Sequence, residues 1–150
     1  MSQTGYKTIF AIATPPGRSA IAVIRISGPL AGHAPALFGA VCPSAGHFSV
    51  ARLVLDQRMI DQVILLFMKG PFSSTGEDIC EIHCHGSHAV IDSLLARLAV
   101  EDGFAMALPG EFSRRSFKNG KIDLSGVEGL AGLIEAETAA RLHQAWGRID

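Results

Sequence analysis

The sequence predicts a chain of mixed α and β structure, an α+β arrangement in which helices pack on a mixed or antiparallel sheet. Short β-branched or apolar runs recur between turn residues along the chain. A tight polar turn joins two of these runs, as in an antiparallel hairpin. A later segment places its apolar residues on one helical stripe.

Residues 8–13 form the first short apolar run, which breaks at "TPPGRS". Residues 20–27, "AIAVIRIS", make a β-branched strand that ends at Gly28-Pro29. Residues 30–40 offer a helix, but Pro35 sits inside it. Residues 48–55 and 59–68 read as two strands joined by Asp56, Gln57 and Arg58. Gly70-Pro71 and the polar loop "SSTGED" then separate them from a strand at residues 79–85. Residues 88–98 place Val90, Ile91, Leu94, Leu95 and Leu98 on one helical face. Residues 104–108, "FAMAL", form a last short strand before Pro109-Gly110. Asn119-Gly120 reads as a helix C-terminus, with Lys121 just beyond it. Ser125 and Glu128 have capping-box spacing. After them Val127, Leu130, Ala131, Ile134, Leu142, Ala145 and Trp146 recur near the helical period up to Asp150. Such a helix needs a partner to cover its stripe, so we read the chain as part of a longer protein.

The 150 residues suit one domain, or one domain with a piece of another. A formal net charge of −1 argues against a general polyanion binder, although a local basic patch can still touch RNA. No apolar run reaches the roughly 18 residues that a spanning helix requires, and residues 1–10 do not have the pattern of a secretory signal. Three cysteines do not make a disulfide framework. The expectation is a soluble, cytoplasmic protein with no membrane contact.

The stretch "EDICEIHCHGSH", residues 77–88, holds the densest chemistry. Alternate residues of a strand share a face, so Ile79, Glu81, His83 and His85 lie on one side and Cys80, Ile82 and Cys84 on the other. The two cysteines are four residues apart, roughly 13 Å when extended and too far to bridge. Beside Ile82 they read as small core hydrophobes. A cysteine nucleophile needs a neighbouring base, and the histidines point away from Cys84. His83 and His85 form a His-x-His pair that can hold zinc if a third ligand comes from elsewhere. Otherwise this face lines a pocket in which Glu81 accepts from ligand N–H groups.

Arg25 shares a face with Ile21, Val23 and Ser27 in a run that otherwise looks buried. Either its stem packs and its head reaches solvent, or it clamps an anion or carbonyl group in a pocket. Arg114, Arg115, Lys118 and Lys121 fall close together between residues 109 and 124. A solvated helix face is the default for such a run, and RNA contact is the alternative. "NGKID" is not a P-loop. In the pattern G-x-x-x-x-G-K-[ST], Arg115 occupies the first glycine position and Ile122 follows the lysine.

Three blocks together carry a family resemblance. "ATPPGRSAIAVIRISGP", "STGEDICEIHCHGSHAVIDSLLARL" and "LPGEFSRRSFKNGKIDLSGVEGLAGLIEAET" resemble the N-terminal part of the tRNA modification GTPases of the MnmE (TrmE) family, in that family's order. The resemblance implies an α+β domain over residues 1–121, related to the folate-binding domain of glycine-cleavage T-proteins. It implies that this domain forms a homodimer and binds a 5-formyl-tetrahydrofolate-type one-carbon donor. Residues 122–150 would then begin a helical domain into which a GTPase domain is inserted. Family members work with the flavoprotein MnmG on the wobble uridine of certain tRNAs, using GTP, potassium and magnesium. Carried over by motif, the folate contacts fall on Arg25 in "RISGP", Glu81 in "GEDICEI" and Lys121 in "NGKID".

The chain departs from the family pattern at Ser74, usually aromatic, and at Ser87, usually the second glycine of "HGG". Lys118 stands for a usual leucine and Gly132 for an aspartate. Without the P-loop and the family's C-terminal cysteine motif, these 150 residues are not expected to hydrolyse GTP or to carry a catalytic residue. A zinc enzyme built on His83 and His85, and a purely structural interaction domain, are the competing readings.

Overall fold

The computed structural model describes residues 6–123 and 139–149. Six strands build one sheet: β1 (Thr8–Ile12), β2 (Ser19–Ser27), β3 (His47–Leu55), β4 (Arg58–Met68), β5 (Ile79–Gly86) and β6 (Phe104–Met106). Their order across the sheet is β3-β4-β5-β2-β1-β6. Every pairing is antiparallel except that of β1 with β6, so the sheet is mixed, as the sequence predicts. The helices are α1 (His88–Ala99), α2 (Glu111–Lys118) and α3 (Ala139–Ile149). None of the described helices is long and apolar enough to cross a membrane.

The expected helix over residues 30–40 is instead two short 3₁₀ turns, Ala31–His33 and Pro35–Phe38. Pro35 has no N–H to continue the first turn, so it opens the second. Between β3 and β4 the loop is two residues, not three, because Arg58 already pairs with Leu55. Asp56 and Gln57 both take left-handed backbone, with φ of 49° and 66°, which is the geometry of a type I′ hairpin. The C-terminus of α2 follows the expected pattern. Lys121 N–H donates to the Ser116 carbonyl and Gly120 N–H to that of Phe117, closing a Schellman motif around Gly120. The proposed cap at Ser125 and Glu128, and the stripe from Val127 to Ile134, lie outside the described residues.

The sheet's two faces differ sharply. Ala22, Ile24 and Ile26 of β2 and Cys80, Ile82 and Cys84 of β5 point to one face. There α1 supplies Ile91, Leu94 and Leu98, and the 3₁₀ turns supply Ala31, Ala34 and Phe38. Burying a large apolar side chain is worth about 1.5–3 kcal/mol, so this layer carries the hydrophobic stabilisation. On the opposite face Ile9, Ser27 and Ile79 stand side by side and are fully buried. Ser27 bonds there to Thr75 and Glu77 of the loop before β5. Further along the same face Ile21, Phe48, Val50 and Ile64 are exposed, between 43% and 70%.

Candidate functional site

The site lies between the covered and the bare parts of that second face. Strand alternation sends Glu81 and His83 to it from β5, and the antiparallel register sets Arg25 of β2 directly beside Glu81. Arg25 Nε and Nη2 each lie 2.8 Å from Glu81 Oε2. His83 Nε2 lies 3.0 Å from Glu81 Oε1. One carboxylate is thus held by a guanidinium on one oxygen and an imidazole on the other. Its side chain is 11% exposed, while those of Arg25 and His83 are about one-third exposed, at 35% and 33%. Burial pushes the Glu81 carboxyl up, but the hydrogen bonds from His83 and Arg25 and their charges outweigh it, leaving the group below its usual range. Glu81 is therefore an ionised acceptor at neutral pH.

His83 also lines a cavity of about 210 Å³, with Ile21, Val50, Ile64 and His85 among others, and Arg25 and Glu81 are not among its lining residues. Its walls are mostly apolar. A larger cavity of about 630 Å³ lies elsewhere, between the β3–β4 turn and α1, and it too is lined by none of Arg25, Glu81 and Lys121.

Of the three residues that the motifs single out, Arg25 and Glu81 meet and Lys121 does not join them. Lys121 Nζ donates to the Pro71 carbonyl at 3.0 Å. It packs near Gly76, where the α2 terminus meets the loop that covers Ser27. The His-x-His pair diverges. His83 turns to Glu81, and His85 Nδ1 to Asp61 Oδ1 at 2.8 Å. Among the described residues no three His, Cys, Asp or Glu side chains converge as a metal-binding group. Cys80 and Cys84 are buried in the core, as strand alternation predicts. Burial raises both thiols, Cys84 to about 11.

Arg115 corrects the reading of the basic run as a solvated face. Arg114 and Lys118 are exposed, but Arg115 is buried. Its Nη1 lies 3.2 and 3.1 Å from the two oxygens of Glu77, and Nη2 donates to the Lys7 carbonyl at 2.7 Å. The guanidinium also sits 4.6 Å over the Tyr6 ring, and Tyr6 and Ser27 hydroxyls both bond Glu77. Nothing local in the sequence marks Glu77 as the partner, since it lies 38 residues from Arg115 in a loop that reads as polar.

The architecture is therefore a mixed α/β domain with one packed sheet face and one partly open face that carries a held carboxylate. Residues 8–121 match the family model described as the N-terminus of the GTP-binding protein TrmE, and the chain belongs to that family. It is similar to the tRNA modification GTPase MnmE of Caulobacter vibrioides, with 46% identity over 142 residues, 95% of this chain and 32% of the relative. The MnmE of Phenylobacterium zucineum is 48% identical over 139 residues, covering 92% and 31%. The human mitochondrial 5-taurinomethyluridine-tRNA synthase subunit GTPB3 is 47% identical over 148 residues, covering 95% and 30%. The chain spans about a third of the length of these relatives.

Proposed function

We propose that this chain is the folate-binding and dimerisation part of a tRNA modification GTPase. Residues 1–121 are read as the binding domain, of the T-protein folate-binding type, and residues 122–150 as the start of a helical domain. The observation that carries this reading is the ionised Glu81, held between Arg25 and His83 on an open sheet face, with His83 lining an apolar cavity beside it. The family and the relatives' names support the parent activity.

The residues fit a 5-formyl-tetrahydrofolate-type ligand. A flat heteroaromatic ring suits an apolar slot walled by His83, and the Glu81 carboxylate that His83 holds suits the ring's N–H donors. Arg25 can donate to carbonyl or anionic groups in a planar fork. Lys121 is held on the Pro71 carbonyl away from this pair, and reaches the ligand only by releasing it. The folate supplies a one-carbon unit when bound, and these side chains bind and orient it.

The cavity of about 210 Å³ is smaller than the roughly 300–1,000 Å³ of typical ligand pockets. It can house one ring system, so further walls must come from outside the domain. Exposed Phe48, Val50 and Ile64 beside it are suited to a second copy that closes the site and buries them. In the full parent, GTP with potassium and magnesium belongs to the inserted domain, and MnmG and tRNA are the partners of a cytoplasmic enzyme.

Calorimetry with (6S)-5-formyl-tetrahydrofolate tests this, with sedimentation equilibrium for the dimer. Binding by the wild type, lost in Arg25→Ala and Glu81→Ala and weakened in Lys121→Ala, is expected. Val50→Asp is expected to give a folded monomer. A dimeric wild type that takes up no folate would sink the ligand reading, and a Val50→Asp dimer would sink the interface.

A further inference from the structure

We propose that His83 is a positioning residue of the ligand site, holding the Glu81 carboxylate in its binding orientation when Arg25 turns to the ligand. The proposal rests on the folate reading for its ligand, but its geometry is visible without one.

An ionised carboxylate has about four acceptor positions. Arg25 fills two through Nε and Nη2, both on Oε2, and His83 fills one on Oε1. The remaining position is on Oε1, the oxygen that His83 holds. A ligand needing two acceptors from Glu81 must take one that Arg25 now occupies. Arg25 is one-third exposed at the strand surface and can swing to the ligand's own carbonyl or anionic group. Glu81 would then be left in a largely dehydrated position with His83 as its remaining partner. His83 also lines the cavity next to the carboxylate, so its ring meets whatever enters. Backbone geometry favours this role. Glu81 and His83 are two residues apart on the same strand face, so β5 itself fixes their separation.

The test compares His83→Ala and His83→Gln in the intact chain. Glutamine restores an N–H donor near the position of Nε2, whereas alanine removes it. Losing a hydrogen bond to a buried charge corresponds to roughly a tenfold change in affinity. We expect His83→Ala to stay folded but to weaken (6S)-5-formyl-tetrahydrofolate binding about tenfold, and His83→Gln to stay within about threefold of the wild type. Equal affinity in His83→Ala and wild type overturns the proposal, as does a glutamine variant no better than alanine.

A second measurement needs no ligand. Carbon-detected NMR titration of Glu81 in ¹³C-labelled protein is expected to show its midpoint rising in His83→Ala and recovering in His83→Gln. An unmoved midpoint overturns the positioning role even if folate binds. A wild type that binds no folate, with the midpoint shift present, retires the ligand while keeping the His83–Glu81 coupling.

Discussion

Removing Arg115 gives the sharpest test of how the described fold is held together. The Arg115→Ala change deletes two bonds to Glu77, one to the Lys7 carbonyl, a 3.5 Å approach to Glu111 and the stacking on Tyr6. The larger effect is on what remains, because the Glu77 side chain is only 7% exposed and keeps just hydroxyl partners from Tyr6 and Ser27. Breaking one side of a buried pair costs about 3–5 kcal/mol, a large share of the roughly 5–15 kcal/mol that holds a domain folded. Burial pushes the Glu77 carboxyl up against the pull of Arg115, so its folded value stands above the unfolded 4.5. Between those values the native state holds a proton that the unfolded state has released, so this group's contribution falls as pH rises. Without Arg115 the carboxyl rises further. The penalty is therefore largest near pH 7 and shrinks as the pH approaches 4.5, where Glu77 becomes neutral. Urea denaturation followed by circular dichroism at both pH values measures this. Lys69→Ala is the control, since Lys69 pairs with Asp78 while 63% exposed and should cost at most about 1 kcal/mol. An Arg115→Ala penalty below about 1 kcal/mol at pH 7, or one that does not fall on acidification, refutes the buried-pair account.

Two further predictions concern backbone positions. Gln57→Gly should raise stability by about 0.5–1 kcal/mol, because φ of 66° strains any side chain there; a lower urea midpoint in this variant would contradict the hairpin geometry. Gly86→Ala should cost at least ~2 kcal/mol, since overpacking strains the core and a Cβ at this position would lie 2.0 Å from the Ser19 carbonyl. That contact joins two sheet strands, which cannot both stay in place. A normal melting temperature for Gly86→Ala would show that the β2–β5 approach is looser than described.

Much of the fold is legible in the sequence because it rests on local periodicity. The five expected strands and the short apolar run at residues 8–13 all form strands, and the alternation in β5 assigns Cys80, Ile82 and Cys84 to the core and Glu81 and His83 to the other face. Asn119-Gly120 ends its helix as the turn chemistry requires. What escapes is set by contacts far apart in the chain. Arg115 looks like its neighbours Arg114 and Lys118, and only Glu77, on a different loop, makes its burial tolerable. Phe48 and Val50 sit in a strand whose pattern fits a buried face as well as an exposed one. Which occurs depends on whether a second layer covers that face, and alternation within one strand does not encode it. The motifs name Arg25 and Glu81 together, and the β2–β5 register supplies the reason they touch.

Two of the arginine–carboxylate pairs among the described residues, Arg115–Glu77 and Arg25–Glu81, differ in burial. Arg115 and Glu77 are both buried, at 9% and 7%, and join the chain's start, a loop and α2. Losing either partner strands a charge away from water, so that pair has a clear role in the fold. Arg25 is 35% exposed against 11% for Glu81, so solvent reaches one partner and screens the pair more than it does Arg115 and Glu77. Stability alone gives little reason to place an arginine, a glutamate and a histidine together beside the exposed Ile21, Val50 and Ile64 of the open sheet face. Apolar residues there would bury as well against any covering layer and would carry no desolvation cost. The polar trio makes physical sense if the face receives a ligand that answers its charge, with the exposed apolar residues around it shielding that contact from water.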